Sequence, residues 1–599
     1  MAWSRQIGKY YMKTQDNSTT ITRRSLTADV AVIGGGLAGL CAAVAAARHG
    51  ANVILVHDRP MLGGNASSEC RVGILGAKDD DLKETGLLEE MQLDNFYRNP
   101  LLRYTVWDDI MLSLAISEPK LKLLLNTSVR DVVMDGAKII STIAWNSTEY
   151  TEYAITANIF IDCSGDGIMR LSGAEFRIGR EAVSEFGEDY VMGGGDDKTM
   201  GTSLLLQLRL CDTHRPFIPP PWAHKFTDKD FEIPEDQLHD GLIHSFKKPY
   251  PDDNNFWWIE FGGNLDTIAD ANDIQLELKK IAYGVWDYMK NHPDGRCRNY
   301  ELDWIGSLPS KRESCRFIGD HLLTQHDIMD GGIFPDVVCY GGWTFDELHP
   351  DSFYCHGRMS THHHAPIPFG IPYRCLYSRN ITNLMFAGRD ISCTHIGLST
   401  VRVMATCALL GQAAGTAAAI AISHNVSPRG VYEHHISELQ ATLEDDDILL
   451  PNRWRTPSPL TLSAHTDTPI LQNGIDRNWK GEDNGVWLAP NEFAEYSWES
   501  PQNISTIRII FDSVLSKRGK RMPKLEGLSD YHEMPDVLTR SFHIDVYKEG
   551  AWHSVHSETE VIHRLVRFNI PSVSTTKLRL VIDATWGASK AHVFAMDIG

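Results

Sequence analysis

Thr27-Ala-Asp-Val-Ala-Val-Ile33-Gly34-Gly-Gly36-Leu37-Ala38-Gly39 sets a short β-branched strand directly before a glycine-rich turn. From Leu37 to His49 the chain is an alanine-rich helix ended by Gly50, and Asn52-Val-Ile-Leu-Val-His57 is a second strand, giving a βαβ unit. The turn has the spacing GxGxxG. Gly34 permits the sharp bend, Gly36 lets a pyrophosphate approach the backbone, and Gly39 allows close packing of helix on strand, while Leu37 and Ala38 open a helix whose N-terminus offers N–H donors. The context therefore predicts a dinucleotide cradle.

An acidic residue about 20 positions further on is expected to hold the ribose hydroxyls. That slot falls at His57, with Asp58 and Arg59 just after it, and either His57 or Asp58 can make the contact. Next comes Arg59-Pro-Met-Leu-Gly63-Gly64-Asn65-Ala-Ser67-Ser68-Glu69-Cys-Arg71, a glycine doublet dense in small hydrogen-bonding residues.

Farther along, Leu121 to Asp162 reads as short strands with turns at Asp135-Gly136 and Asn146-Ser147. Residues 182–366 carry glycine and proline loops and one clear helix near Asp273 to Asn291, and read as a separate substrate or cap domain. Leu384-Met-Phe-Ala-Gly388 returns to a buried strand. Ser399 to Ser423 reads as one long small-residue helix with Ser399 or Thr400 as its cap, and Gly411 and Gly415 fit it closely to the sheet. After a proline-stiffened linker, runs such as Ile507-Arg-Ile-Ile-Phe and Lys577-Leu-Arg-Leu-Val-Ile alternate as antiparallel strands do. The expected fold class is α/β: a Rossmann-type nucleotide-binding domain with an inserted α+β substrate domain, then an all-β jelly-roll sandwich. The expected boundaries are 1–190 and 366–450 for the two parts of the nucleotide-binding domain, 191–365 for the insertion and 460–599 for the sandwich.

With 599 residues the chain exceeds one hydrophobic core, and its formal charge of −21 disfavours polyanions, so nucleic acid is excluded as a partner. The polar, aromatic start lacks a secretory apolar core, and Ala28 to Val56 is too interrupted to span a membrane, which predicts a cytoplasmic protein. All eleven cysteines lie between Cys41 and Cys407 without a CxxC pair, which excludes a dithiol centre and a zinc ribbon.

The loop from Gly63 to Arg71 resembles the "GGN-A-S-S-E-x-R" loop of FAD-dependent oxidoreductases of the glutathione-reductase type. Ile161-Asp162-Cys-Ser164-Gly165-Asp166-Gly167 is similar to that family's "DATGDG" strand end, and Lys311-Arg312-Glu313-Ser-Cys-Arg316 to its "RESRR" segment. Ile371-Pro-Tyr373-Arg374 resembles "IPYR", and Ala387-Gly388-Arg389-Asp390 with Ser399-Thr400-Val-Arg402 resembles the closing FAD segment. The resemblance implies FAD, held additionally by Gly63, Gly64, Asn65, Ser67, Ser68, Arg71, Val129, Ser164, Gly165, Asp166, Gly388, Arg389, Asp390, Ser399 and Thr400. Two positions depart from it: His57 stands where relatives have Glu, and Arg389 precedes the acidic Asp390.

No second GxGxxG sits between strand and helix, so electrons are expected to pass between FAD, a small-molecule substrate and a diffusing acceptor that the sequence does not name. The candidate bases and substrate ligands are His362 and His364 of the run Thr361-His-His-His, and His395 before the closing helix. Arg374 and Arg402, with Arg312 and Arg316, can orient polar substrates or form ion pairs. No metal site is expected. The C-terminal part resembles discoidin-like galactose-binding sandwiches, where Trp479, Trp487, Trp498, Trp552 and Trp586 serve as sugar platforms or as core anchors and oligomer contacts. The leading expectation is oxidation of a CH–OH group in a carbohydrate or similar polar metabolite. The alternatives are CH–CH chemistry on a carboxylate and a carbohydrate-binding protein with a structural flavin.

Overall fold

The computed structural model describes residues 21–191, 193–231, 259–355, 359–515 and 532–599. The polar, aromatic N-terminal start lies outside them. The central sheet is built from β1 (Thr22–Ile33), β2 (Val53–Val56), β3 (Leu121–Leu124), β4 (Thr127–Asp135), β5 (Lys138–Asn146) and β6 (Thr151–Asp162), in the order β3-β2-β1-β6-β5-β4. Strand Leu384–Phe386 joins it by pairing parallel to β6. The pairs β2–β3, β1–β2 and β1–β6 are parallel, whereas β5 and β4 return antiparallel. β2 is buried along its whole length, as a parallel strand covered on both faces must be.

The helix α1 (Leu37–Arg48) closes the βαβ unit and is buried from Leu37 to Ala47. Its alanines leave room for helix Met404–His424 to lie across it. A Cβ at Gly411 or Gly415 would stand 2.0 or 2.1 Å from the carbonyl oxygens of Ala38 or Ala42. The two glycines thus fit the closing helix to α1, not to the sheet as the sequence suggested. Met404–His424 is long and apolar enough to cross a membrane, yet 94% of that stretch is buried within the fold.

The expected helix from Ser399 to Ser423 is two helices. His395–Val401 starts earlier, capped by Thr394, whose Oγ1 accepts from the Gly397 N–H; the chain then breaks at Arg402 and Val403, and Met404–His424 follows. Ser399 and Thr400 are not caps. Their hydroxyls donate back to the Ile396 and Gly397 carbonyls, a bond open to Ser and Thr inside a helix, and Thr394, which the sequence reading did not consider, takes the end.

In the middle of the chain, strands Leu206–Leu210 and Tyr300–Ile305 pair antiparallel, and helix Ala271–Lys290 shares a core with them through Leu278, Ile281, Val285 and Trp286. The C-terminal part is a six-stranded antiparallel sheet in the order Val486–Leu488, Ala591–Ile598, Phe493–Phe511, Leu565–Thr585, Thr539–Lys548, Ala551–Glu558. Its two longest strands shift register near Ser497 and Ile504, where the ladder bends. Leu93 and Phe96 of helix Leu87–Arg98 enter its core.

Candidate active site

The glycine turn, the ends of β1, β2 and β6, and the break before Met404 surround one cavity of about 610 Å³, within the usual range for ligand sites. Gly34, Gly36, Leu37, Ala38, His57, Asp58, Arg59, Gly63, Gly64, Asn65, Val129, Ser164, Gly165, Asp166, Gly388, Arg389, Arg402 and His362 all line it. Residues separated by more than 350 positions are therefore brought onto one surface.

The glycines divide by role. Gly34 has φ +103° and a Cβ there would meet the Cys163 carbonyl oxygen at 2.4 Å, so only glycine turns the strand under β6. At Gly39 a Cβ would stand 1.8 Å from the Gly34 oxygen, which is helix-to-turn packing. Gly36 is different: nothing lies within 4 Å of its Cβ direction, and the residue borders the cavity. A pyrophosphate cradle has this property, with backbone bared toward open volume.

At the ribose slot, the Gly35 N–H donates to His57 Nδ1 at 2.9 Å. The ring therefore carries its proton on Nε2, and a hydrogen bond to the Met61 backbone also holds it. Burial holds the imidazole below its ordinary range against the opposing pull of Asp58, so the ring is neutral. Asp58 is half-exposed and stands 3.5 Å from His57 Nδ1.

Arg389 supplies the cation. It forms no ion pair among the described residues, its Nη1 is buried without a partner, and its guanidinium lies against Gly165. Lys311, also on the wall, is already paired with Asp166 at 2.7 Å. Asp390 turns inward, where its Oδ2 accepts from the Gly165 N–H at 2.9 Å; burial and the nearby Asp162 push its carboxyl well above the usual range. Of the two side chains after Gly388, the arginine is the one on the cavity. Bared Gly36 backbone, a neutral His57 at the ribose slot and the Arg389 guanidinium, with a buried Nη1 lacking a partner among the described residues, fit the pyrophosphate and ribose of FAD.

Several expected contacts lie elsewhere. Ser67 is fully buried and its hydroxyl donates to the Gly64 carbonyl; the Ser68 N–H donates to Asp108; the Arg71 guanidinium donates to Gln207 and stacks over Trp304. These residues brace the Gly63-Gly64 loop from behind. Ser399 and Thr400 are helix interior. Arg374 pairs with Asp336 at 2.9 Å, away from the cavity.

His395 also lies away from the cavity. It is 2% exposed, off the cavity wall, with Nδ1 2.8 Å from Glu313 Oε2 and Nε2 3.5 Å from Glu347. Burial alone would lower its pKa, but Glu313, backed by Glu347, outweighs that and pushes it up to about 9. Arg316 bridges the same Glu313 to Glu181 in a fully buried network. Of the histidine run, His363 stacks on Tyr190 at 3.9 Å, His364 is exposed off the wall, and His362 borders the cavity with Nδ1 3.5 Å from Asp346.

The end of the cavity beyond the glycine turn holds residues that the sequence did not single out as ligands. Glu260 pairs with Arg312 and accepts from Ser203; Asp346 pairs with Arg402 at 3.2 Å; Ser310, whose hydroxyl bonds Cys70, and Trp343, whose buried indole N–H has no partner among the described residues, complete the wall. Burial raises the Glu260 carboxyl, with Arg312 opposing. No local spacing marks these residues, because each pair joins segments about fifty positions apart.

On the C-terminal sheet, Trp498 is buried in the core and Trp586 donates to the Val561 carbonyl, as anchors do. Trp552 packs on Arg579, and Trp487 is exposed while stacking on His592.

Residues 29–443 match the family model described as FAD dependent oxidoreductase. Among solved structures, a geranylgeranyl bacteriochlorophyll reductase-like protein from Thermoplasma acidophilum is similar at 13% identity and TM-score 0.33, over 71% of this chain and 89% of that one. The quinol fumarate reductase FrdA of E. coli is similar at 15% identity and TM-score 0.28, over 69% of this chain and 74% of that one. A family 32 carbohydrate-binding module from Streptococcus pneumoniae EndoD is similar at 10% identity and TM-score 0.19, over 24% of this chain and 99% of that one. No curated protein matches the chain by sequence.

Proposed function

The chain belongs to the FAD dependent oxidoreductase family, and on that premise we propose that it oxidises a CH–OH group of a neutral, polyhydroxylated metabolite such as a sugar or glycoside. When bound, FAD would supply the hydride acceptor for this chemistry.

The observation that carries this substrate class is the charge balance at the far end of the cavity. Arg312 is neutralised by Glu260 and Arg402 by Asp346. A carboxylate substrate would need a cation not already committed, whereas hydroxyl groups need alternating donors and acceptors without net charge. Glu260, Ser310, Arg312, Trp343 and Arg402 offer that alternation around one volume.

His362 takes the hydroxyl proton. Its Nδ1 faces Asp346 and its Nε2 lies 3.4 Å from Ser360 Oγ, so Nε2 is the nitrogen that receives a proton while Asp346 stabilises the imidazolium. The alcohol loses a hydride and a proton and becomes a carbonyl, and the electrons leave the protein to a diffusing acceptor.

Anaerobic mixing of the FAD-loaded protein with polyols, sugars and glycosides, and separately with saturated carboxylates, tests this through flavin absorbance. Bleaching by the hydroxylated set supports the proposal. Bleaching by carboxylates alone overturns it in favour of CH–CH chemistry, and a colourless protein that takes up no FAD removes both.

A further inference from the structure

The closing helix Met404–His424 ends far from the cavity at His424. There Asn425 takes the left-handed conformation, φ +51°, and reverses the chain into a short helix capped by Ser427. A π-helical turn, Val431–His435, then leads into helix Ile436–Asp445. One extra residue in a helical turn re-aims the side chains that follow it. Here His435 comes to lie flat on His424, ring centroids 3.9 Å apart and planes 21° apart.

Both rings point at the same oxygen. His424 Nε2 is 2.9 Å and His435 Nδ1 is 3.1 Å from Oε2 of Glu438, and the three donor atoms lie within 4.8 Å of one another. Two imidazole nitrogens and a carboxylate oxygen around one point, on a partly exposed surface open to water, match the donor set of a four-coordinate borderline cation. Such a centre, with bonds near 2.0–2.1 Å, spaces its donors roughly 3.3 Å apart, so small rotations of these side chains suffice.

We propose that His424, His435 and Glu438 bind one divalent transition-metal ion of the zinc class, with water completing the coordination. Two nitrogen donors favour Zn2+, Co2+ or Ni2+ over the oxygen-seeking Mg2+ and Ca2+. The ion ties the last turn of Met404–His424 to Ile436–Asp445. The opposite end of the same helix borders the FAD cavity roughly 30 Å away, at 1.5 Å per residue, so the ion holds the helix and takes no part in electron transfer.

Chelator-stripped, FAD-loaded full-length protein without an affinity tag is titrated with Zn2+ by calorimetry, alongside His435→Ala, Glu438→Gln and, as a control for a different exposed histidine–carboxylate pair, His543→Ala. The expected result is one equivalent of Zn2+ bound by the wild type and by His543→Ala. His435→Ala and Glu438→Gln should each weaken it by at least about tenfold, with FAD content unchanged, and Mg2+ should not compete. A visible d–d spectrum of four-coordinate Co2+, present in the wild type and lost in both site variants, gives a second readout. Equal Zn2+ stoichiometry and affinity in the wild type and both site variants would show adventitious binding at other histidines and overturn the proposal, as would no binding to the wild type.

Discussion

The Gly35 N–H donates to Nδ1 of His57 at 2.9 Å, and this one bond fixes the tautomer of the residue standing where an acidic ribose ligand was expected. His57 can serve the ribose as an Nε2–H donor, and it keeps the Gly35 bond that sets its position only while neutral. Burial holds its pKa below the ordinary imidazole range, opposed by Asp58 and aided by Arg59, so the neutral form prevails at and above neutral pH. As pH falls through that lowered pKa the ring gains a proton on Nδ1, and the Gly35 bond becomes a donor facing a donor. FAD affinity, followed by quenching of flavin fluorescence, is expected to be flat from neutral to alkaline pH and to fall in acid by up to about tenfold per pH unit. His57→Gln should flatten the acid limb. An identical acid limb in both proteins would remove His57 from the contact.

Gly36 and Gly39 belong to one motif, yet substitution should separate them. A side chain at Gly36 enters open cavity volume, so Gly36→Val should fold with a melting temperature close to the wild type and yet retain no flavin. At Gly39 the added Cβ would press on the Gly34 carbonyl, so Gly39→Ala should lose stability before cofactor binding is reached. Melting temperature and the flavin-to-protein absorbance ratio, measured together, check both. A yellow, fully loaded Gly36→Val would disprove the cradle.

This difference also shows what the sequence could disclose. Gly34, Gly36 and Gly39 are legible because their jobs are local, set by chain geometry within one turn. The helix start was misplaced because Thr394, Ser399 and Thr400 all carry a capping hydroxyl, and only packing decides which of them sits at an end. Arg312 and Arg402 were legible as substrate-orienting or ion-pairing arginines, but their partners Glu260 and Asp346 were not. The members of the two pairs are 52 and 56 positions apart, and no periodicity links them.

His395, a candidate base by position, is buried between Glu313 and Glu347. With its pKa pushed up to about 9 by Glu313 and Glu347 against the effect of burial, its stabilisation is fully present below the ordinary imidazole value and is lost as pH rises through about 9. Wild-type melting temperature should therefore decline between about pH 7 and pH 10, while His395→Gln should lack that decline. His395→Ala strips Glu313 of one of its two buried cationic partners and should cost about 3–5 kcal/mol, with the flavin reduction rate per bound FAD unchanged. A slowed reduction step at unchanged stability would return His395 to the chemistry.

Arg389 and Lys311 both line the cavity, but only Lys311 is neutralised within the protein. Arg389→Gln should therefore weaken FAD by about 10- to 100-fold, as expected for losing a charged hydrogen-bond donor to phosphate. Lys311→Gln should cost much less, since its charge is already spent on Asp166. Equilibrium titration of the FAD-free proteins measures both, and equal losses would mean that Arg389 is not the pyrophosphate cation.

His362 and His364 flank one residue on a strand edge, and only His362 reaches the cavity wall. Replacing a base that receives the substrate proton should slow flavin reduction by about 10²–10⁴-fold without releasing FAD, so His362→Ala is expected to do so and His364→Ala to leave the rate unchanged. Asp346→Asn separates a base from a mere binding contact: with the imidazolium no longer stabilised, the limiting reduction rate should fall while FAD content stays unchanged. At the same time Arg402 loses its carboxylate and becomes available to an anion. The same variant should thus bind carboxylates better while oxidising alcohols worse. If Asp346→Asn instead left both the reduction rate and carboxylate binding untouched, neither the assigned base nor the charge-balanced substrate site would stand.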